Sequence, residues 1–234
     1  MNEPQASTHE TEAILFLEHV AGIAGDMFTA ACINAGVVSA EEIQQIPALL
    51  GFQNSTVRIT VSDLMTANMN ATHVDIQWDE DAVEQLSEDH GSEDHHHITY
   101  QRIDELIRDS ELSGEAKQYA RQIIYLLGTS EAKVHNIDLE EVAFHEIGDI
   151  DSMLDVVMAG YCIAAISPAR VYSSPVKLGR GIVEIRHGSY PIPPPASAIL
   201  SEGCPVDPVP ASIQHPDIEL STPTGLAILK ALSP

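Results

Sequence analysis

The sequence predicts an α/β protein in which helices pack on a mixed sheet and an acidic, histidine-rich loop lies at the surface. Short apolar runs of strand length alternate with longer stretches of helical periodicity, which is typical of this class. Hydrophobic residues make up 44% of the 234 residues, enough for a buried core. Residues 79–97 are rich in acids and histidines and have little apolar periodicity, so we expect a mobile surface loop there.

The first half of the chain alternates strands with a helix. An apolar run at 14–20 leads through a glycine turn into an apolar helical stretch at 27–35, which is followed by Gly36. Alternating apolar and polar residues at 57–61 and 72–78 then predict two paired β-strands. This order places a strand, a turn and a helix at the start of the fold.

Helices dominate the middle of the chain, and strands return in the last third. Helical periodicity predicts helices at 98–107, 113–135 and 151–165. The third of these is apolar on all sides, so we expect it at the centre of the core. Strand patterns follow at 171–176 and 182–185. A proline-rich turn then precedes a short helix, and a final helix follows the Thr-Pro-Thr-Gly segment at 222–225.

The charge balance of the chain limits the ligands that its surface can attract. The 35 acidic residues outnumber the 11 basic ones and give a net charge of −24, which repels polyphosphate backbones and attracts cations. Three widely spaced cysteines form neither a disulfide framework nor a paired-cysteine metal site. With no signal peptide and no apolar run near the roughly 20 residues of a bilayer span, we expect a cytoplasmic protein that binds no nucleic acid and no membrane.

The turn between the first strand and the first helix is the first candidate site. Gly22 and Gly25 would let the backbone approach a ligand closely, and the N-terminus of the next helix favours an anion. Asp26 would repel a bare phosphate, so a phosphate bridged by a metal ion fits this turn better. The alternative is that the glycines only make a tight turn and that Asp26 caps the helix.

Four histidines in the acidic loop form the second candidate site. His90, His95, His96 and His97 lie among aspartates and glutamates. Imidazole suits nickel, copper and zinc, whereas calcium and magnesium prefer oxygen ligands. The pattern therefore indicates capture of a late transition metal, with a plain polar linker as the alternative.

The densest group of potential ligands precedes and opens the predicted central helix. His145 and Glu146 come before the helix start, and Asp151 and Asp155 are spaced to share one helix face. Together these side chains could bind a cation or move a proton. In the alternative interpretation, Asp149 or Asp151 caps the helix and Glu146 is a surface charge.

Arginines are rare in this chain, and two of them lie beside glycines in the last third. Arg180 and Arg186 could hold a phosphate or a carboxylate through the planar guanidinium group. Thr222 and Thr224, at the start of the final helix, belong to the same candidate group. The alternative is that the arginines pair with the protein's own carboxylates.

Taken in chain order, these groups resemble the LarC family of nickel insertion proteins, specifically its N-terminal domain. The similarity is carried by short stretches: 21–27, the histidine run before Ile98, Glu131–His135, Phe144–Gly148 with Asp151, Ser152 and Asp155, Leu178–Gly181, His187–Gly188 with Pro191–Pro193, and Ser221–Gly225. Their order and spacing make the match specific over nearly the whole chain. The resemblance implies that residues 1–234 form the nickel-binding domain, with 79–97 as its loop.

The resemblance also implies a role in cofactor assembly. Family members insert nickel into a pyridinium bis-thiocarboxylic acid mononucleotide to make the nickel-pincer nucleotide, and they consume CTP with Mg²⁺ or Mn²⁺. In the family, a C-terminal domain that these 234 residues lack is linked to CTP use and oligomerisation. Besides a nucleotide-like substrate, a separate C-terminal domain and further copies of the chain are therefore the expected partners.

On this basis we expect three sets of site residues. Catalysis, including removal of the ring proton when a nickel–carbon bond forms, is assigned to Asp26, Glu146 and Asp151. Nucleotide binding is assigned to Gly22, Gly25, Arg180, Thr222 and Thr224. Metal binding is assigned to His90, His95, His96, His97, His145 and Glu146.

The chain departs from the family pattern at three positions. Glu18 and His19 stand where the family usually has an aspartate and a cysteine, and Ala143 replaces the first histidine of a His-Phe-His-Glu pattern. One candidate ligand is therefore missing. A non-catalytic nickel chaperone or store is consistent with that loss. A metal-dependent phosphohydrolase built on Asp26 and the 145–151 segment is a further alternative.

Overall fold

A computed structural model of the chain describes residues 13–53, 55–66, 68–79, 81–82, 86, 98–144, 150–185, 188–209 and 217–233. Within these residues the protein combines eight α-helices with several small β-sheets. The predicted mixture of α and β structure is confirmed. Most of the predicted loop at 79–97 lies outside the described residues. Of those that are described, Asp81, Ala82 and Leu86 are helical, and Ala82 and Leu86 are completely buried, so the prediction of a surface loop is wrong at these positions.

The first half of the chain begins with a strand and a helix joined by the glycine turn. Its elements are β1 (Ile14–Leu17), α1 (Gly25–Asn34), α2 (Ala40–Gln44), α3 (Ile46–Leu49), β2 (Val57–Thr66) and β3 (Met69–Trp78). Gly36 follows α1 with a φ of 71°, a left-handed conformation that suits glycine and stops the helix. The predicted pair of strands is confirmed, and β2 and β3 are longer than the alternation indicated.

The middle of the chain is mainly helical. Its elements are β4 (Ile98–Thr99), α4 (Tyr100–Asp109), α5 (Gly114–His135), a 3₁₀ turn (Leu139–Glu141), β5 (Ala143–Phe144) and α6 (Ile150–Ile166). Thr99 and Ser113 begin α4 and α5, since each side-chain oxygen accepts a backbone N–H from the first helical turn. The three helices predicted for this region are confirmed.

The last third returns to short strands. Its elements are β6 (Arg170–Ser173), β7 (Gly179–Arg180), β8 (Ile182–Ile185), β9 (Gly188–Pro191), α7 (Pro195–Leu200), β10 (Ile218–Glu219) and α8 (Pro223–Leu232). The predicted strand at 182–185 and the final helix are confirmed. The strand predicted at 171–176 ends earlier, and Val176 forms an isolated bridge with Val206.

Among the described residues, the strands form separate two-stranded sheets and not the single mixed sheet that was predicted. β1 and β6 pair in parallel, with Phe16 opposite Tyr172. The pairs β2–β3, β4–β5, β7–β10 and β8–β9 are antiparallel. Alternation of apolar and polar residues identifies the buried face of a strand, but it does not identify the partner strand. The number of sheets therefore could not follow from the sequence pattern.

Helix α6 lies at the centre of the core, as its apolar composition predicts. Leu154, Val157 and Ile163 are completely buried, and α1, α5 and α8 pack around the helix. Gly160 allows α5 to come close, because a Cβ there would lie 2.7 Å from the backbone nitrogen of Ala120. The core thus depends on helix packing at least as much as on the small sheets.

Two features of the described residues bear on the class of protein. No helix in the described ranges is both long enough and apolar enough to cross a membrane. The three cysteines are free thiols, of which Cys32 and Cys162 are buried in the core and Cys204 is half-buried.

Candidate functional site

A cavity of about 730 Å³ brings together side chains from distant parts of the chain. Four of the predicted site residues line it: Asp26, Asp151, Thr222 and Thr224. These residues belong to three sequence motifs and to three helices. The fold therefore brings to one cavity four side chains that separate motifs had indicated.

Four helices begin at this cavity: α1, α6, α8 and the short α7, which contributes Pro194, Pro195 and Ala196. Helix α1 contributes Ala24 and Asp26, α6 contributes Asp151 and Ser152, and α8 contributes Thr222–Thr224. The first backbone N–H groups of a helix have no partner within the helix, and each N-terminus carries a partial positive charge. Of the described residues that line the cavity, none is lysine or arginine. Besides the imidazole of His135, the helix N-termini are the groups on the described wall that can attract an anionic group.

The start of α8 is fixed by its own sequence. Thr222 caps the helix, because its Oγ1 accepts the backbone N–H of Gly225 at 3.3 Å. Pro223 takes the first helical position, where no N–H is required. The Oγ1 atoms of Thr222 and Thr224 lie 2.9 Å apart and form a hydrogen bond. Both hydroxyl groups are thus held at the wall of the cavity.

Glycines let the first loop lie directly against the last helix. The backbone N–H of Thr222 donates to the Ile23 carbonyl at 3.0 Å, and a Cβ on Gly225 would clash with that carbonyl. A Cβ on Gly22 would clash with the Leu220 carbonyl, and the φ of Gly22 is 100°. Gly22 does not line the cavity itself. In this structure it brings two motifs together, and its predicted contact with a nucleotide remains a prediction.

Asp26 lies inside the first turn of α1 and does not cap it. The residue at the cap position is Ala24, which has no side-chain hydrogen bond to the helix. The Asp26 Oδ1 atom instead accepts the N–H of Met27 at 2.7 Å. The interpretation of Asp26 as a helix cap is therefore wrong. A carboxylate in this position is stabilised by the helix dipole and borders the cavity.

Asp151 lies in the first turn of α6, as Asp26 does in α1. The helix begins at Ile150, so Asp151 is its second residue, and the Asp151 Oδ1 atom accepts the N–H of Ser152 at 2.6 Å. The alternative that Asp151 caps the helix is therefore wrong. The other capping candidate, Asp149, lies outside the described residues.

Asp155 follows one turn later on the same face of α6 and borders the cavity below Asp151. A Cβ on Gly25 would lie 2.6 Å from the Asp155 carboxyl group, so only glycine fits at that position of α1. Burial, followed by the nearby carboxylates of Asp26 and Asp151, raises the pKa of Asp155 to about 8. Asp155 was predicted only as a partner of Asp151, and its burial depends on the packing of α1 against α6.

Four more ionisable side chains, those of Glu131, His135, Tyr190 and Glu219, line the cavity and were not among the predicted site residues. Glu131 and His135 lie one turn apart at the end of α5, with 3.4 Å between His135 Nε2 and Glu131 Oε2. Glu219 accepts a hydrogen bond from the hydroxyl of Ser197 at 3.2 Å. Helical spacing within the Glu131–His135 motif could have identified the first two. Glu219 lies in no motif that marks it.

Arg180 lies away from the cavity. It is exposed on β7, where it is paired with Ile218 of β10, and it does not line the cavity. Gly179 beside it has a φ of 101° and packs against the Ile218 carbonyl. The other candidate arginine, Arg186, lies outside the described residues, as does His187.

The predicted metal ligands cannot be placed in this structure. His90, His95, His96, His97, His145 and Glu146 all lie outside the described residues. In the part of the chain that the structure describes, no group of three or more histidine, cysteine, aspartate or glutamate side chains is arranged to hold a metal ion. Asp26, Asp151 and Asp155 are therefore not a preformed metal centre among themselves.

His19 and Ala143, two departures from the family pattern, lie in well-packed surroundings. His19 is buried, and its Nε2 atom lies 2.8 Å from the Ser173 hydroxyl. Its carbonyl accepts a hydrogen bond from Lys177 at 2.6 Å. Burial, and secondly the charge of Lys177, lowers the pKa of His19. Ala143 pairs with Thr99 in the short β4–β5 sheet. Neither His19 nor Ala143 lines the cavity.

Comparison with known proteins identifies the family of the chain. Residues 15–234 match the family described as nickel insertion protein. A protein of Geobacillus kaustophilus (strain HTA426) is 36% identical over 219 residues, which are 93% of this chain and 50% of that protein. It is named pyridinium-3,5-bisthiocarboxylic acid mononucleotide nickel insertion protein.

Two further relatives carry the same name. The protein of Clostridium kluyveri is 34% identical and that of Akkermansia muciniphila is 33% identical, over 92% and 91% of this chain. The chain spans about half the length of the curated relatives it matches. No solved structure matches the chain.

Proposed function

Because the chain belongs to the nickel insertion protein family, we propose that it binds Ni²⁺ and inserts it into a pyridinium-3,5-bisthiocarboxylic acid mononucleotide to make the nickel-pincer nucleotide. One observation carries the proposal most strongly. The carboxylates Asp26 and Asp151 and the hydroxyls of Thr222 and Thr224 line one cavity of about 730 Å³, a volume suited to a small ligand.

The helix N-termini are proposed to hold the acidic groups of the nucleotide. A phosphate or a thiocarboxylate at the start of α1, α6 or α8 would accept backbone N–H groups and gain from the helix dipoles. The hydroxyls of Thr222 and Thr224 add one free donor on the same wall, because the hydrogen of the other hydroxyl is used in the bond between them. Gly22 and Gly25 keep the backbone of the first loop close to the ligand. Arg180, exposed on β7, is proposed to contact the part of the nucleotide that extends beyond the cavity.

His145 and Glu146 are proposed as the ligands that present nickel to the nucleotide. They precede Asp151 by only a few residues, and Asp151 lines the cavity. Neutral imidazole suits Ni²⁺, which the softer sulfur ligands of the nucleotide can then take over. We propose that His90, His95, His96 and His97 capture nickel from solution before this transfer. Such capture agrees with the chain's net charge of −24.

The chemical step needs a proton acceptor. As the nickel–carbon bond forms, the carbon–hydrogen bond of the pyridinium ring breaks, and the proton must pass to a base; no electron is gained or lost. Asp26 and Asp151 line the cavity and are proposed for this role, with Glu146 as the third candidate.

CTP with Mg²⁺ or Mn²⁺ is proposed to act through a C-terminal domain, since the relatives are about twice as long as this chain.

A nickel chaperone or store is the second candidate function. One observation favours it: Ala143 takes the place of a histidine. The two functions differ in their substrate. A chaperone releases nickel unchanged and has no saturable site for the nucleotide.

The experiment that separates them measures binding of the nickel-free precursor nucleotide to the purified chain, with and without Ni²⁺. Insertion predicts saturable binding at a single site. The mass of the bound nucleotide should increase by one nickel and decrease by the displaced proton once CTP and the second half of a relative are supplied. Nickel that leaves the protein unchanged, together with no saturable nucleotide binding, would establish the chaperone instead.

A further inference from the structure

Asp155 has an oxygen atom with no partner at the base of the cavity. Its Oδ1 atom has less than 1 Å² exposed to solvent and no hydrogen-bond partner among the described residues. The backbone N–H of Asp26 donates to the same carboxyl group, so this hydrogen bond falls on Oδ2. Buried polar atoms are nearly always satisfied in folded proteins, and an exception needs an explanation.

The surroundings of Asp155 favour a neutral carboxylic acid. Two other carboxylates, Asp26 and Asp151, lie close to it, and Gly25 packs directly against the group. No lysine or arginine is among the described residues that line the cavity. A third negative charge in this place would be costly, and burial accordingly raises the pKa of Asp155 to about 8.

A proton on Asp155 belongs on Oδ1, because Oδ2 already accepts the Asp26 N–H. The resulting hydroxyl group is a donor for which the described part of the protein supplies no acceptor. Because Oδ1 is closed off from solvent in this structure, the carboxyl group must turn about its terminal torsion, which has broad minima, to present the hydroxyl to the cavity that Asp155 borders. An acidic group of a ligand is the acceptor that would satisfy it.

We infer that Asp155 is a ligand-binding residue that works in its neutral form and donates a hydrogen bond to an acidic group of the bound nucleotide. The identity of that ligand rests on the proposed function. The inference explains how a cavity with several carboxylates and no described lysine or arginine can accept an anionic molecule. Asp26 and Asp151 remain the proton acceptors, and Asp155 contributes to binding.

The test uses nicotinic acid mononucleotide, a pyridinium mononucleotide with one carboxylate, and calorimetric titration at pH 7 and pH 9. In this range the probe's phosphate is already ionised. Because Asp155 loses its proton near pH 8, the wild-type affinity should be about tenfold lower at pH 9 than at pH 7. Asp155→Ala should bind about tenfold more weakly than the wild type at pH 7.

Asp155→Asn is the decisive variant, since its amide is neutral at both pH values and can still donate a hydrogen bond. At pH 7 its affinity for the probe should be close to that of the wild type. Its affinity at pH 9 should equal its own affinity at pH 7. Among the described residues, the other titratable groups on the cavity wall are Asp26, Asp151, Glu131, His135, Tyr190 and Glu219. Glu219→Gln removes a charge from another wall, so it should strengthen binding at both pH values and leave the pH dependence in place.

A pH-independent wild-type affinity, or an Asp155→Ala affinity equal to that of the wild type, would overturn the inference while leaving the proposed function intact. No binding of the probe to the wild type would count against the proposed function. In that case the infrared difference spectrum between wild type and Asp155→Asn at pH 7 decides. A protonated carboxyl band in the wild type supports the inference, and its absence overturns it.

Discussion

Asp151 and Asp155 have the same side chain and lie one helical turn apart, yet their surroundings give them different properties. Asp151 accepts a backbone N–H in the first turn of α6, where the helix dipole stabilises negative charge. Asp155 lies deeper, against Gly25, with one oxygen atom that has no partner among the described residues. The negatively charged carboxylate of Asp151 is therefore left to accept a proton, and the acid of Asp155 suits hydrogen bonding to a ligand.

The pH dependence of stability tests the state of Asp155. Its pKa of about 8 in the folded protein lies above the ordinary value of 3.8. Between these values the unfolded chain has released the proton while the folded protein keeps it. Stability therefore falls as pH rises, by at most about 1.4 kcal/mol per pH unit from this residue. Asp155→Asn removes this pH dependence. In urea unfolding, the free energy of unfolding of the variant should therefore increase relative to that of the wild type from pH 5 to pH 8.

The exposed carboxylate of Asp109 provides the control for that comparison. Asp109→Asn also removes one carboxylate, but from a surface position on α4. Its difference from the wild type should therefore vary little with pH over the same range. Parallel pH curves for the wild type and Asp155→Asn would show that Asp155 is ionised at neutral pH in the folded protein.

A separate variant tests the role of His145. If its neutral imidazole binds nickel, His145→Ala should abolish the release of nickel that occurs as pH falls through about 6.5, with the melting temperature unchanged. A histidine with only a structural role gives the opposite result. Its removal would cost roughly 1–3 kcal/mol of stability and leave nickel affinity unaltered. Nickel dialysis and thermal unfolding of this one variant distinguish the two.

At the scale of elements, the crossing of α5 and α6 determines the distance between the helices that border the cavity. Gly160→Ala would place a methyl group 2.7 Å from the Ala120 nitrogen and 2.9 Å from the Ala116 carbonyl oxygen. The helices must then separate, at a cost of about 1–3 kcal/mol. Gly114→Ala, at the start of α5, is the matched control, because no heavy atom lies within 4 Å of the position that its methyl group would take. That control should be neutral or stabilise the protein by up to about 1 kcal/mol.

Equal unfolding free energies for the two alanine variants would contradict a close crossing at Gly160. The helices themselves could be predicted from the sequence, because helical periodicity and caps such as Ser113 are local signals. The close crossing of α5 and α6 could not be predicted, since at Gly160 it depends on the backbone of α5, which lies far away in sequence. The same limit applies to the sheets: the sequence indicated β1 and β6 as strands, but their parallel pairing is a long-range contact.

At the scale of the whole molecule, sequence motifs located part of the candidate site. Asp26, Asp151, Thr222 and Thr224 were predicted separately, and the fold brings them to one cavity. Glu219 was missed because no motif includes it. Four helix N-termini meet at the cavity, which is a property of the tertiary structure that no local pattern contains.

We expect the acidic, histidine-rich segment to capture the nickel that the protein binds. Changing His95, His96 and His97 together to alanine should lower the nickel stoichiometry in equilibrium dialysis. The free energy of unfolding should remain nearly the same, because we predict that these three histidines lie at the surface, where side chains contribute little to a core. An unchanged nickel stoichiometry would remove these histidines from the metal-binding set.

Nickel insertion is proposed to take place in the cavity at the helix N-termini, where Asp151 accepts the ring proton. The most direct test compares formation of the nickel-bearing nucleotide by the wild-type chain, Asp151→Asn and Asp109→Asn, each supplied with CTP, Mg²⁺ and the second half of the Geobacillus kaustophilus relative. Loss of the proton acceptor should slow Asp151→Asn by about 100-fold or more, while the surface control keeps the wild-type rate. Equal rates for all three proteins would contradict the claim.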